Sequence, residues 1–259
     1  MLFREDRMRV FVCIDDTDNL ESRGTGHLAA LLSDELENRG WGKGHFITRH
    51  QLFVHPDVPY TSHNSAMCFS ADLENAFLDT FIAHASEFLE KESAEGSDPG
   101  LCVAPIERLN DSLRIIDFGF KAKKSVLTKS QAYCLARQLG IHLSEHGGTG
   151  GGVIGALAGV GLRLSGNDGR VRGKIRIENA NGTTRVRDIR SQTLVESVRA
   201  LPCRVLPGKF IKDNDLVQLG EKVKAVFLDD SPVLLVAPME TGVDGANWRT
   251  CTKQELSVY

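Results

Sequence analysis

Cysteine is present but never closely paired: Cys13, Cys68, Cys102, Cys134, Cys203 and Cys251 are scattered, and the chain has no Cys-x-x-Cys. That spacing excludes a zinc ribbon and a disulfide framework and leaves buried free thiols as the expectation. No apolar run approaches the roughly 18 residues a membrane span needs. The opening MLFREDRMRV lacks the long apolar stretch of a signal peptide, so a cytoplasmic location is expected. There is no overall excess of positive charge, since the net is −3 with a pI near 6.2, and this excludes a uniformly basic nucleic-acid coat. Long internal repeats and low-complexity tracts are also missing. What remains is 259 residues, 41% hydrophobic, enough to bury one large core or two small ones.

The periodicity predicts an α/β (α+β) fold: a mixed-sheet domain over 1–162 and a smaller, basic, strand-rich domain over 163–259. Met8 to Ile14 is a short β-branched and aromatic run that ends on acidic residues, as a buried strand does. From Gly26 to Asn38, Leu28, Leu31, Leu32 and Leu36 follow helical spacing, with Gly40 as a stop. His45–Val54 and Ser65–Ala71 read as strands around the proline-containing turn HPDVPYTSHN. Asp72 is expected to cap a helix over 72–91, and SAEGSDPG to form a loop before the strand LCVAPI. Thr128 and Gln131 form a capping box ahead of a helix that Gly140 ends. Beyond Gly161, VRGKIRIE and TTRVRDI alternate like strands. Residues 163–224 hold 14 Lys and Arg against 7 Asp and Glu, a local +7 that leaves −10 on the rest of the chain.

The first strand runs into Asp15, Asp16 and Asp18. Carboxylates that close together repel one another, and a hard, oxygen-seeking ion such as Mg²⁺ would relieve the repulsion. The other reading is a solvated turn whose aspartates cap the next helix. Gly24, Thr25 and Gly26 open that helix, where backbone amides favour an anion, unless Thr25 merely caps it. The run HGGTGGGVIGALAGVG, from His146 to Gly161, can present amides of Gly148, Thr149, Gly150, Gly151 and Gly152 to a polyphosphate and then pack as a thin helix. No G-K-[ST] follows, so it is not a Walker A loop. His50, His55 and His63 fit no metal-ligand spacing and read as polar loop residues; Lys121, Lys123 and Lys124 read as a solvated helix face or as phosphate contacts.

In order and in type these stretches resemble the ATP-using, kinase-like domain of the archaeal agmatidine synthetase (TiaS) family, which modifies the wobble cytidine of an isoleucine tRNA. The resemblance rests on IDDTD after the first strand, with Thr25 in GTGHL at the spacing of the family's phosphate-accepting threonine. It also rests on HPDVPYTSHNSA (Pro56, Pro59, Tyr60, Asn64, Ala66), on Asp98-Pro99-Gly100 against the family's N-P-G, and on GGGVIGALA from Gly150. Three features depart from the family: Gly26 and His27 replace a threonine and a tyrosine, Gly151 stands in place of an arginine, and HNSA lacks another arginine. Beyond 162 the resemblance to the family's ferredoxin-like, agmatine-binding domain is confined to DDSPVLLV, and the family's OB and zinc-ribbon domains are expected to be lacking.

The resemblance implies an ATP- and Mg²⁺-dependent ligase or phosphotransferase of tRNA modification. Asp15, Asp16 and Asp18 would hold the metal, Thr25 would accept or position phosphate, and Gly24, Gly26, Asn64, Gly148, Thr149, Gly150, Gly151 and Gly152 would hold the nucleotide. A nucleoside or RNA acceptor would meet the basic 163–224 region. A standalone small-molecule kinase or ligase, or a non-catalytic nucleotide-binding module, are the alternatives.

Overall fold

Alternation along β1 (Arg7–Asp15) sends Val10, Val12 and Ile14 to one face of a sheet and Phe11 and Cys13 to the other, and apolar clusters cover both faces. The computed structural model describes residues 6–58, 64–178, 182–202, 210–240, 242 and 245–259. The chain divides into two compact units, Met1–Ser165 and Gly166–Tyr259.

In the first unit the sequence continues through α1 (Thr25–Asn38), β2 (Gly42–Gln51), β3 (Ser65–Glu74), α2 (Leu78–Glu92) and β4 (Gly100–Pro105). The strands lie in the order β4-β1-β3-β2, each antiparallel to its neighbour. This β-α-β-β-α-β path is the ferredoxin-like, split β-α-β topology. Helices α1 and α2 share one face, where Leu28, Leu32 and Leu36 of α1 and Phe81, Ala85 and Leu89 of α2 pack on Val10, Val12, Ile14 and Phe69. The other face is closed by α3 (Ser112–Ala122), α4 (Lys129–Leu139) and α5 (Gly152–Leu164), and β5 (His142–Glu145) extends the sheet beside β4. Helix α5 is buried on nearly every side; a Cβ at Gly159 would fall 2.4 Å from Cys13 Sγ, so only a helix of small residues lies this close to β1. Truncating a fully buried ring such as Phe81 to alanine in a core of this kind costs about 3–5 kcal/mol.

The α/β class is as expected, and several details differ. Within this unit the sheet is antiparallel rather than mixed. Asp72 does not cap a helix: it stays in β3 because Arg9 Nε and His45 Nε2 each lie 3.1 Å from its carboxylate on the flanking strands. Against the upward push of partial burial, those two partners hold its pKa below the usual carboxylate range. The helix therefore starts at Leu78, after a single 3₁₀ turn. The capping box of Thr128 and Gln131 forms in full, and Gly140 closes α4 with φ 66°.

The second unit is strand-rich: β6 (Arg170–Val171), β7 (Thr183–Arg185), β8 (Ser197–Ala200), β9 (Leu216–Gln218), β10 (Val226–Leu228), β11 (Ser231–Pro238) and β12 (Trp248–Thr250), with the single helix α6 (Val186–Gln192) among the described residues. The one seven-residue helix among the described residues does not supply the two crossovers of a ferredoxin-like fold, and the unit is strand-rich, the other form expected for this region. VRGKIRIE keeps only its first residue in a strand, and TTRVRDI turns from strand to helix at Val186. Strands β10 and β11 form a tight hairpin in which Asp229 and Asp230 have φ 48° and 59°, the double left-handed turn that such hairpins favour. Among the described residues no helix is long and apolar enough to cross a membrane.

Candidate functional site

A cavity of about 330 Å³ opens where β1 ends, within the first unit. Its polar lining includes Asp15, Asp16, Asp18, Gly24, Thr25 and Gly26 with Asp98, Thr149, Gly151 and Gly152. Its apolar lining includes Leu52, Phe53, Val58, Met67, Leu127 and Ile154. Asn64 and Arg49 also reach the lining. A volume in the 300–1,000 Å³ range with a lining both apolar and polar suits a small organic ligand.

The sequence builds this site from strand and helix ends. Asp16 takes φ 52°, which turns the chain out of β1. Thr17 is fully buried and pins the loop through its carbonyl, which accepts from Ala94 N at 3.0 Å. Thr25 is not a cap: Gly24 occupies the N-cap position, and Thr25 Oγ1 instead donates to Asp18 Oδ1 at 3.1 Å. Asn64 Nδ2 donates to Phe53 O at 2.6 Å, closing the base of the β2–β3 connection.

The carboxylates do not converge into one cage. Asp15 is buried against α5, where a Cβ on residue 155 would fall 1.7 Å from Asp15 Oδ2. Burial above all, and then the charges of Asp16 and Asp18, push its pKa well above the usual range. Asp16 is pushed up to about 6, first by burial and then by the charges of Asp98 and Asp18. Among the described residues no three His, Cys, Asp or Glu side chains are arranged to hold a metal ion, so the expected triad of Asp15, Asp16 and Asp18 is not preassembled. Hard oxygen donors that repel one another nevertheless fit a cation that takes one or two carboxylates and completes its shell with phosphate.

The glycine loop between β5 and α5 wraps around Asp98, a residue outside the expected site. Thr149 donates both its amide and its hydroxyl to the Asp98 carboxylate, and Gly152 N donates to Asp98 O at 3.0 Å. A Cβ on Gly148 would fall 1.8 Å from Asp98 Oδ1, and φ there is 53°, so glycine is required on both counts. From the outer side Lys129 Nζ donates to Thr149 O at 2.6 Å and pairs with Glu145, filling the space beside Gly150. Gly148 and Gly150 therefore shape the loop without lining the cavity, whereas Thr149, Gly151 and Gly152 line it.

Of the other candidates, His50 is buried 2.7 Å from Thr48 Oγ1, His55 stacks on Phe53 and His63 lies outside the described residues, as do Pro59 and Tyr60. Lys121 pairs with Asp117 on the surface of α3, and neither it nor Lys123 or Lys124 lines the cavity. Asp98 was legible within Asp98-Pro99-Gly100 but not as part of the site, and Arg49 only as a residue type, because the pairings that bring them here span 51 and 16 residues.

No family model matches the chain. It is similar to the isoleucine-tRNA 2-agmatinylcytidine synthetase TiaS of Methanosarcina acetivorans, with 32% identity over 163 residues that make up 60% of this chain and 36% of that protein. The TiaS of Archaeoglobus fulgidus is likewise 32% identical, over 61% of this chain and 36% of its own length. The crystal structure of TiaS in complex with its isoleucine tRNA and ATP superposes with a TM-score of 0.52 at 30% identity, covering 60% of this chain and 36% of that one. The chain thus spans little more than a third of the length of the relatives it matches. The similarity to TiaS covers some 60% of this chain.

Proposed function

We propose that the first unit binds ATP with Mg²⁺ and transfers or activates a phosphoryl or nucleotidyl group, as an ATP-dependent ligase or phosphotransferase acting on a nucleoside or RNA acceptor. The observation that carries this reading is the cavity at the end of β1, whose lining combines apolar side chains with Asp16, Asp18, Thr25 and the start of α5. Support also comes from the similarity to TiaS, for which a solved complex holds ATP and the isoleucine tRNA.

On this reading the base lies against Leu52, Phe53 and Ile154, and the phosphates lie between α5 and Asp16. Asp16 and Asp18 would hold Mg²⁺, which when bound neutralises charge on the phosphates. Phosphoryl transfer is mainly a matter of placement and charge stabilisation, and amides at a helix start together with Arg49 supply both. Thr25 Oγ1 faces the same space and already donates to Asp18, so that carboxylate is placed to take its proton if the hydroxyl accepts phosphate. The basic 163–224 region, including exposed Arg187 on α6, would contribute to acceptor binding.

The test is incubation of the full chain with ATP and Mg²⁺ and candidate tRNA transcripts, followed by nucleotide analysis and mass spectrometry of the peptide carrying Thr25. ADP with phosphate on Thr25 supports phosphoryl transfer, and AMP supports ligase-type activation. ATP left intact under all conditions would count against both.

A further inference from the structure

Two donors of the glycine loop, both on Thr149, are already taken. Asp98 accepts both the amide and the hydroxyl of Thr149. The loop closes around this carboxylate so tightly that a side chain at Gly148 would overlap Asp98 Oδ1, and one at Gly151 would come within 3.4 Å of Asp98 Oδ2. Lys129 donates to the Thr149 carbonyl and pairs with Glu145, tying the same residue to β5. A carboxylate held by an amide and a hydroxyl at the entrance to α5 sits where the oxygens of a phosphate would be received. Asp98 and Thr149 both line the cavity, together with Asp16.

Resting on the nucleotide reading above, we propose that Asp98 is an internal occupant of the loop's phosphate-binding position, a self-contained latch that ATP must displace. Metal-free ATP, carrying full negative charge, meets Asp98 as a competitor for Thr149 and as a like charge. A divalent cation between Asp98 and Asp16 offers the carboxylate another partner and releases the Thr149 donors to phosphate. The latch therefore makes nucleotide binding conditional on the metal, by a route separate from the metal's own contact with the phosphates.

The test is calorimetric titration of the full chain with ATP, in EDTA and in excess Mg²⁺, for wild type, Asp98→Ala and Asp57→Asn. Asp57→Asn removes one charge from the same cavity without touching Thr149 and gives the electrostatic baseline. We expect Asp98→Ala to bind metal-free ATP at least tenfold more tightly than wild type, to exceed the gain from Asp57→Asn, and to respond less to Mg²⁺. Metal-free affinity equal to wild type, or a gain no larger than that of Asp57→Asn, overturns the latch while Mg²⁺–ATP binding by wild type keeps the nucleotide reading. Wild type that binds ATP under neither condition overturns both. If Asp98→Ala does not fold, the wild-type Thr149 amide resonance decides: it moves on Mg²⁺ alone if Asp98 lets go, and stays fixed if it does not.

Discussion

Asp16 carries a charge that the folded protein resists. Its pKa rises from the ordinary 3.8 to about 6 because burial and the neighbouring Asp98 and Asp18 disfavour the ionised form. A carboxyl group whose pKa is higher in the folded than in the unfolded chain holds its proton better when folded. Stability is therefore fullest below the unfolded value and is lost as pH rises toward 6. Asparagine tolerates the left-handed backbone at this position. Without divalent ions, Asp16→Asn is expected to melt a few degrees above wild type at pH 7.5 and alongside it at pH 3.5, which thermal denaturation at the two pH values would check. A variant no more stable than wild type at pH 7.5 would mean that the repulsion is already relieved. The strain also explains why the turn reads as functional: three aspartates within four residues are costly to fold around unless something else bears the charge.

At the scale of elements, the site depends on how closely α5 approaches β1. Gly155 faces Asp15, and an added methyl group would fall 1.7 Å from its carboxylate and 2.9 Å from Leu52. Gly155→Ala is expected to destabilise the protein by about 1–3 kcal/mol, the usual cost of overpacking. Denaturant melts would show it, and a variant as stable as wild type would mean that Asp15 moves aside freely. This element was legible in the sequence because small residues recur through VIGALAGVG, and α4 was legible because Thr128, Gln131 and Gly140 fix both its ends. Helix α3 had a usable signal in Ile115, Phe118, Gly119 and Ala122, which follow helical spacing. Strand β5 had none: HLSE is four residues with no apolar alternation, and it forms only because β4 offers it an edge. The mistaken cap at Asp72 shows the same limit, since its partners Arg9 and His45 lie far off in sequence and only the folded sheet brings them together. Asp98 escaped as a site residue for the same reason: its motif was legible, but only the fold wraps the glycine loop around its carboxylate.

On the scale of the whole chain, charge is divided between an acidic remainder and a basic 163–224 stretch. If that stretch serves an RNA acceptor, tRNA binding should weaken about tenfold between 50 and 200 mM salt for some two or three phosphate contacts. Filter binding across that range would measure it, and affinity indifferent to salt would remove the basic stretch from the acceptor site. On the proposed function, Mg²⁺ and ATP would bind in the cavity at the tip of β1. The most direct measurement is calorimetric titration of the full chain with ATP in excess Mg²⁺, comparing wild type with Asp16→Ala. Saturable binding is expected, one nucleotide per chain, that Asp16→Ala weakens at least tenfold. Wild type that gives no binding, or a variant that binds ATP as wild type does, would contradict it.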